Sequence, residues 1–287
     1  MKRVRMIALD MDGTLLLSDH HTVPQHNIDA IRRAHALGIR VVINTGRMME
    51  DASDFIRRLD LPCMIIAANG ARASDGPMPG SRLLYRCCLA PQDAHRALDI
   101  LIPSGLTING FEDGIVHTAG GRDVRKYHLV NRGLIEARYG EQTIREAADR
   151  GLMKLFAVGD GFAGDVYDPR VGAARSQITQ CLGHLQISSS AAGNIEITSP
   201  EAGKGTTLAR VAAHYGLTRE QVMAVGDAGN DLNMLEYAWH SVAMGNASEE
   251  VKRICRYTTA SNDECGVAQI IDRVIDAVQT EGEDAHV

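Results

Sequence analysis

The chain has 287 residues, enough for two domains, because domains usually hold about 100–200 residues. Its 30 basic and 36 acidic residues give a net charge of −6, and only 4% of its residues are aromatic. This composition argues against a nucleic-acid groove or an anionic membrane surface, since both require concentrated basic charge. No apolar run approaches the ~20 residues of a membrane-spanning helix. The six cysteines form no CxxC pair, so we expect a reduced, cytoplasmic protein.

The N-terminal part of the chain alternates short apolar runs with segments of helical periodicity. This pattern predicts a strand, a helix, a strand, a helix and a strand at Val4–Asp10, Ile28–Leu37, Arg40–Thr45, Met48–Leu59 and Cys63–Ala68. Strands that are separated by helices are joined by crossovers, and crossovers produce parallel pairing. The sequence therefore predicts a doubly wound, Rossmann-like α/β sheet.

The pattern changes between residues 84 and 192, where short strands and glycine-rich turns replace the regular alternation. In this region we expect strands at Leu106–Asn109, Ile115–Thr118, Lys154–Val158 and Leu185–Ser188. The alternation returns afterwards, with a predicted helix over Thr206–Tyr215 and an apolar strand over Val222–Val225. We therefore expect a core made of residues 1–83 and 193–287, interrupted by an inserted α+β module.

Polar residues follow three of the predicted core strands. Asp10 and Asp12 follow the first strand, Thr45 ends the second, and Asp227 follows the strand at Val222–Val225. The carboxyl ends of parallel strands lie at one edge of a sheet, and ligands bind there. We therefore expect these residues to converge although the sequence separates them widely.

Four motifs at these positions resemble, in order, those of the haloacid dehalogenase superfamily of phosphoaspartyl phosphatases. They are Asp10–Leu16 (DMDGTLL), Asn44–Arg47 (NTGR), Lys204–Leu208 (KGTTL) and Gly226–Leu235 (GDAGNDLNML). Two further segments resemble the Cof-type subgroup of sugar-phosphatase-like proteins: Asn69–Ala71 (NGA) and Ser261–Ala268 (SNDECGVA). The resemblance implies a Rossmann-like catalytic core and an α/β cap at residues 84–192 that determines substrate specificity.

The first motif carries the chemistry that the resemblance implies. Asp10 would attack phosphorus and form an aspartyl phosphate, which divides hydrolysis into two easier steps. Asp12 would protonate the leaving group and then activate water. We expect Asp12 to lie on the same side of the strand as Asp10, and the neighbouring acidic groups to favour its protonated form at neutral pH.

A Mg²⁺ ion is the implied cofactor. The carboxylates of Asp10 and Asp227 and the backbone carbonyl of Asp12 would bind it, and Asp231 would orient this site without direct contact. The acidic cluster itself favours a cation, because several carboxylates facing one phosphate repel each other and the phosphate.

Phosphate recognition is assigned to hydrogen-bond donors in the other motifs. The resemblance and the donor chemistry indicate that the phosphate oxygens bind Thr45, Gly46, Asn230 and Lys204. Lys204 would also stabilise the charge that moves during phosphoryl transfer. Arg47 is predicted to pair with a helix carboxylate rather than with substrate, and His20, His21 and His26 are predicted to be solvated loop residues.

The predicted function is a Mg²⁺-dependent phosphatase for a small phosphorylated metabolite, such as a sugar phosphate. A phosphosugar mutase with the same aspartyl-phosphate chemistry is the alternative, and release of free phosphate separates the two. A receiver-type signalling module also uses a strand-end Asp, a Thr and a Lys, but Asp12 and the inserted module argue against it. The sequence leaves open the metabolite, the cap residues that contact it and the oligomeric state.

Overall fold

A computed structural model of the chain describes residues 1, 3–121, 132–159, 167–189 and 192–284. These residues form two compact units, Met1–Tyr85 together with Gly203–Val287, and Arg86–Ala202. None of the helices in the described ranges combines the length and the apolar composition that crossing a membrane requires.

Strands and helices are numbered in chain order. The strands are β1 (Met6–Leu9), β2 (Arg40–Asn44), β3 (Cys63–Ala67), β4 (Arg72–Ser74), β5 (Leu83–Arg86), β6 (Thr107–Glu112), β7 (Ile115–Ala119), β8 (Glu136–Tyr139), β9 (Lys154–Val158), β10 (Gln186–Ser188), β11 (Asn194–Thr198), β12 (Val222–Gly226), β13 (His240–Ala243) and β14 (Tyr257–Thr258). The α-helices are α1 (Gln25–Ala36), α2 (Met49–Arg58), α3 (Pro91–Leu101), α4 (Glu141–Arg150), α5 (Pro169–Leu182), α6 (Lys204–His214), α7 (Leu232–Tyr237), α8 (Glu249–Ile254) and α9 (Gly266–Asp284).

The first unit contains an eight-stranded sheet in the order β14-β13-β12-β1-β2-β3-β4-β5. The central strand β1 pairs in parallel with β12 on one side and β2 on the other, so that Ile7 lies beside Met223 and Val41. All four residues of β1 are buried, and since neighbouring residues point to opposite faces, both faces of the sheet are covered. Helix α1 packs against α9, and α6 packs against α7. The predicted doubly wound α/β fold is confirmed.

The sheet also extends beyond the predicted strands. Strand β4 pairs antiparallel with β3, and β5 forms the edge of the sheet. These strands have three and four residues, too few to produce a recognisable alternation in the sequence. Pairing with the neighbouring strand, β3 for β4 and β4 for β5, therefore decides their conformation.

The second unit has its own six-stranded sheet, in the order β10-β11-β9-β6-β7-β8. Its apolar core contains Leu98 of α3, Ile144 of α4 and Ile178 of α5. Strand β11 pairs antiparallel with both β9 and β10, so it belongs to this sheet. The second unit consequently ends at Ala202, beyond the boundary at residue 192 that the sequence predicted.

Candidate active site

Asp10 follows β1 directly and begins a sharp turn. Its side chain is buried, and its amide donates to the Val225 carbonyl of β12 at 3.1 Å. The turn continues over Met11–Leu15 with Gly13 at a φ of +78°, a conformation that favours glycine. A Cβ at Gly13 would lie 2.4 Å from Oδ2 of Asp227. Glycine therefore allows the turn of the first motif to approach the acid of the fourth motif.

Lys204, the first residue of α6, supplies a buried positive charge at this point. Its Nζ donates to Oδ1 of Asp10 at 2.5 Å and to Oδ1 of Asp231 at 2.6 Å. The start of α6 is fixed by Asn44 at the end of β2, whose Nδ2 donates to the Lys204 carbonyl at 3.0 Å. Burial alone lowers the pKa of Lys204, but the charges of Asp10 and Asp231 outweigh it and raise the pKa above its usual value. Lys204 is therefore an ammonium at neutral pH.

Asp231 and Thr14 orient the acid of the fourth motif. While Oδ1 of Asp231 accepts from Lys204, Oδ2 accepts from the backbone amides of Asp227 and Ala228 at 3.0 and 3.2 Å. The Thr14 hydroxyl donates to Oδ1 of Asp227 at 2.8 Å. Both oxygens of Asp231 are thus engaged with the protein, which fits the orienting position predicted for this residue.

Asp10, Asp227 and Asp231 form an acidic cluster in which one carboxylate oxygen of each lies within 4.8 Å of the others. Burial, followed by the charge of Asp231, raises the pKa of Asp10 well above its ordinary value. The same two causes raise the pKa of Asp227 to about 6. A hard divalent cation would offset this repulsion, and it prefers carboxylate oxygens as ligands. Since Asp231 is already engaged, Asp10 and Asp227 are the side chains that fit Mg²⁺.

Asp12 does not lie where strand periodicity predicts. Strand β1 ends at Leu9, so Asp12 belongs to the irregular turn and its alternation with Asp10 is lost. Its carboxylate accepts from Nε and Nη2 of Arg47 at 2.8 and 2.7 Å. Burial raises the pKa of Asp12, but hydrogen bonds and charge from Arg47, with a smaller contribution from His20, outweigh it and lower the pKa. The expectation that the acidic cluster keeps Asp12 protonated is therefore wrong.

Three of the four predicted phosphate donors follow β2 and β12, the two strands that flank β1. Thr45 and Gly46 follow β2, and the buried Thr45 hydroxyl oxygen accepts from the Arg47 amide at 3.1 Å. Asn230 lies in the short turn Gly229–Asp231 that follows β12. Parallel pairing through β1 brings these segments to the same edge of the sheet as Asp10.

Two asparagines hold the turn of the first motif from the C-terminal part of the chain. Nδ2 of Asn246 donates to the Gly13 carbonyl at 2.8 Å, and Nδ2 of the buried Asn262 donates to the Leu16 carbonyl at 2.9 Å. The Asn262 amide in turn donates to Oδ1 of Asn246 at 3.1 Å. Neither asparagine was predicted to have a role, although Asn262 lies within the SNDECGVA segment. Their contacts give that segment a structural function, which is to fix the turn.

The predictions for the remaining polar residues have mixed outcomes. Arg47 pairs with Asp51 of α2 at 3.2 Å, as expected of a helix carboxylate, but its contacts with Asp12 were not foreseen. His21 is an exposed loop residue, as predicted, whereas the exposed His26 lies in the first turn of α1, so its assignment to a loop is wrong. Nδ1 of the largely exposed His20 lies 3.3 Å from Oδ1 of Asp12.

Comparisons with known proteins identify the family. The family model of the haloacid dehalogenase-like hydrolases matches residues 7–271. From Bacillus subtilis (strain 168), the 5-amino-6-(5-phospho-D-ribitylamino)uracil phosphatase YwtE is 32% identical over 95% of this chain and 98% of the relative. The phosphatase YwpJ of the same organism is 30% identical over 95% of this chain and all of the relative. A solved haloacid dehalogenase-like hydrolase from B. subtilis superimposes with a TM-score of 0.81 at 29% identity, over 94% of this chain and 99% of that chain.

The match covers the strands that carry all four motifs as well as the second unit, so it extends to the whole architecture and not to the site alone. The family that the motifs indicated is thereby confirmed. The chain belongs to the haloacid dehalogenase-like hydrolases, among the Cof-type phosphatases.

Proposed function

We propose that the protein is a Mg²⁺-dependent phosphatase that hydrolyses a small phosphomonoester through an aspartyl phosphate on Asp10. The observation that carries this proposal is the buried Lys204 ammonium, which contacts both Asp10 and Asp231 in a cluster that includes Asp227. A positive charge beside a buried carboxylate suits attack on a negatively charged phosphate. The phosphatase names of relatives that match nearly the full chain support the same reaction class.

The reaction has two steps with balanced proton transfers. A carboxylate oxygen of Asp10 attacks phosphorus, and the bond between phosphorus and the leaving oxygen breaks. Because Arg47 lowers the pKa of Asp12, only the minor protonated form of Asp12 serves as the acid at neutral pH. That form gives its proton to the leaving oxygen, which departs as an alcohol. Water then attacks the phosphorus, Asp12 takes a proton from that water, and the bond between phosphorus and Asp10 breaks. Phosphate is released, and the proton taken from water returns Asp12 to its protonated form.

Positive charge and hydrogen-bond donors surround the reacting group in this proposal. The phosphate oxygens accept from Lys204, Thr45, Gly46 and Asn230. Mg²⁺ held by the Asp10 and Asp227 carboxylates and the Asp12 backbone carbonyl would supply the charge that offsets repulsion between phosphate and acids. Asp231 orients this site through its bonds to Lys204 and to the Asp227 amide.

Trapping the covalent intermediate can distinguish the role of Asp10 as nucleophile from the role of Asp12 as acid and base. In an Asp12→Asn variant, an aryl phosphate should still phosphorylate Asp10, because its leaving group needs little protonation, and the adduct should then accumulate. Hydrolysis of an alkyl phosphate should fall by about 10²–10⁴-fold, the usual contribution of general acid–base catalysis. Intact-protein mass spectrometry should show one added phosphoryl group that maps to Asp10, and none in an Asp10→Asn variant. An adduct on another residue, or full activity of the Asp10 variant, would show that the roles are misassigned.

The second unit carries a cluster of buried polar side chains on one face of its sheet, and this cluster suits selection of the leaving group. On one face of its sheet Thr118 donates to Asn109 at 2.8 Å, and Lys154 pairs with Glu196 at 2.6 Å. Strand register places these four residues on the same face, and all are almost completely buried. The opposite face carries the apolar residues of the core that includes α3, α4 and α5. We propose that the second unit acts as the cap and that this polar face recognises a sugar or polyol. The ribityl group in the name of the relative YwtE is a leaving group of this kind.

Phosphate release from a panel of phosphorylated metabolites, with and without Mg²⁺, tests the substrate class. Thr118→Val should reduce kcat/KM for sugar phosphates and leave an aryl phosphate unaffected, because it removes a hydroxyl without changing the volume. Thr143→Val is the matched control, since the Thr143 hydroxyl lies in the first turn of α4 and donates to the carbonyl of Gly140, the residue before the helix. Isomerised sugar phosphate without free phosphate would favour the mutase. Equal losses for both substrates would argue against a cap role of this face.

A further inference from the structure

Arg47 donates two parallel hydrogen bonds to the carboxylate of Asp12. Nε donates to Oδ2 at 2.8 Å, and Nη2 donates to Oδ1 at 2.7 Å. This two-point contact fixes both the position and the plane of the carboxylate, which a single point charge would not do. Among the residues that the structure describes, His20 is the other side chain that contacts this carboxylate, and its ring is 63% exposed. The orientation of Asp12 therefore depends mainly on Arg47.

Arg47 is itself held from a second direction. Its Nη1 donates to Oδ2 of Asp51 in the first turn of α2 at 3.2 Å, and the Asp51 side chain is 3% exposed. Its Nη2 also donates to the His20 carbonyl at 3.1 Å. The guanidinium thus joins the turn after β1 to helix α2. Since α2 packs against β3, the contacts from Asp51 through Arg47 to Asp12 link the turn to a helix that is packed on the sheet.

The backbone alone would not hold Asp12 in one place. Asp12 lies outside regular secondary structure and directly before Gly13, whose φ is +78°. Its side chain is 40% exposed, so packing restricts its rotation little. A carboxyl group that must give a proton to one oxygen and, once ionised, take a proton from another requires a defined position, because proton transfer needs hydrogen-bond distances.

From these contacts we infer that Arg47 is a positioning residue for Asp12, and that its guanidinium orients this carboxylate for both proton transfers. The inference rests on the proposed phosphatase function and assigns to Arg47 a role that is separate from binding the phosphate. An arginine that binds phosphate would present its guanidinium nitrogens to the substrate. In Arg47, Nε and Nη2 donate to Asp12 and Nη1 donates to Asp51.

Steady-state kinetics of an Arg47→Met variant with an alkyl and an aryl phosphate separate these roles. With the alkyl phosphate, kcat/KM should fall by about 10- to 100-fold, a part of the contribution of acid–base catalysis. With the aryl phosphate, kcat/KM should hardly change, because phosphorylation of Asp10 needs no acid. The kcat for the aryl phosphate should fall, because water attack on the phosphorylated Asp10 still needs Asp12. Since kcat/KM for this substrate is nearly unchanged, its KM should fall by a similar factor. Phosphorylated Asp10 should accumulate, as mass spectrometry can show.

Three further variants test whether the guanidinium group and its support by Asp51 are needed. Added guanidinium should restore part of the alkyl phosphatase activity to an Arg47→Ala variant, whereas Arg47→Lys should recover little because an ammonium cannot bond both oxygens and Asp51. Asp51→Asn should also lower kcat/KM for the alkyl phosphate, but by a smaller factor than Arg47→Met. The matched control is Arg58→Met, which also breaks an (i, i+4) pair on α2, with Asp54 at 3.1 Å, and which should behave as wild type.

The outcomes are distinguishable. A wild-type protein that releases no phosphate and forms no adduct on Asp10 refutes the proposed function itself. If wild type is active, an Arg47→Met variant with raised KM and unchanged kcat for both substrates shows that Arg47 binds the phosphate, and the inference is overturned. Equal losses for alkyl and aryl phosphates without guanidinium rescue also overturn it, as would an Asp51→Asn variant that matches wild type.

Discussion

Replacement of Asp227 by Asn should make the metal-free protein more stable at neutral pH. Burial and the charge of Asp231 raise the pKa of Asp227 from 3.8 to about 6. The folded protein therefore holds the Asp227 proton at pH values where the unfolded chain has lost it, so stability falls as the pH rises from about 4 to about 6. Asn has no charge to bury, and its carbonyl oxygen can still accept from the Thr14 hydroxyl. The stability of the Asp227→Asn variant should therefore not fall in this way as the pH rises from about 4 to about 6.

The expected gain follows from the size of the shift. A rise from 3.8 to about 6 is about two units, and each unit corresponds to about 1.36 kcal/mol, which gives ~3 kcal/mol. The Asp227 side chain is only partly buried, and solvent screens part of its charge, so we expect ~1–3 kcal/mol. Mg²⁺ should reverse the order of stability. At a thousand-fold excess over its Kd, a ligand stabilises the folded state by about 4.1 kcal/mol, which exceeds the expected gain, and the variant lacks one of the proposed ligands.

Urea denaturation in excess chelator, at about pH 5 and about pH 8, measures the gain, and repetition in excess MgCl₂ measures the reversal. The matched control is Asp263→Asn in the same unit. The backbone amide and hydroxyl of Ser18 lower the pKa of Asp263, so the ionised form stabilises the fold and this variant should lose stability at neutral pH. The reasoning is refuted if Asp227→Asn is no more stable than wild type in chelator at pH 8, or if Mg²⁺ stabilises both proteins equally.

Three further variants test the turn, its support and the second unit. Gly13→Ala should destabilise the fold by at least ~1–2 kcal/mol and weaken Mg²⁺ binding measured by calorimetry, since its Cβ would lie 2.4 Å from Oδ2 of Asp227. Asn262→Ala should lower the free energy of unfolding, measured by thermal unfolding, by about 1–3 kcal/mol, because it leaves the buried Leu16 carbonyl unpaired. It should also lower kcat more than it raises KM, and an unchanged kcat would contradict this. Leu98→Ala should destabilise the second unit by about 2–5 kcal/mol, so that limited proteolysis cuts first within residues 86–202; first cleavage in the core would contradict it.

The sequence by itself determined the parallel core and the positions from which its chemistry must come. Buried parallel strands read as continuous apolar runs, so β1, β2, β3 and β12 were visible without any tertiary information. A polar residue at the end of such a run must lie at the ligand-binding edge of the sheet, whatever its distance along the chain. That rule placed Asp10 and Asp227 at one edge, and the KGTTL motif added Lys204, which lies 194 residues from the Asp10 it contacts.

Only the tertiary structure decided where Asp12 points and what surrounds it. Strand alternation ends with β1 at Leu9, and the side chains of an irregular turn have no period from which their direction can be derived. The partner that fixes Asp12 is Arg47, 35 residues further along the chain. The lowered pKa of Asp12 follows from its contact with Arg47 and not from the nearby acids. Short strands such as β4 and β11 escaped prediction for a related reason, because pairing with a neighbouring strand, rather than a local pattern, gives them their conformation.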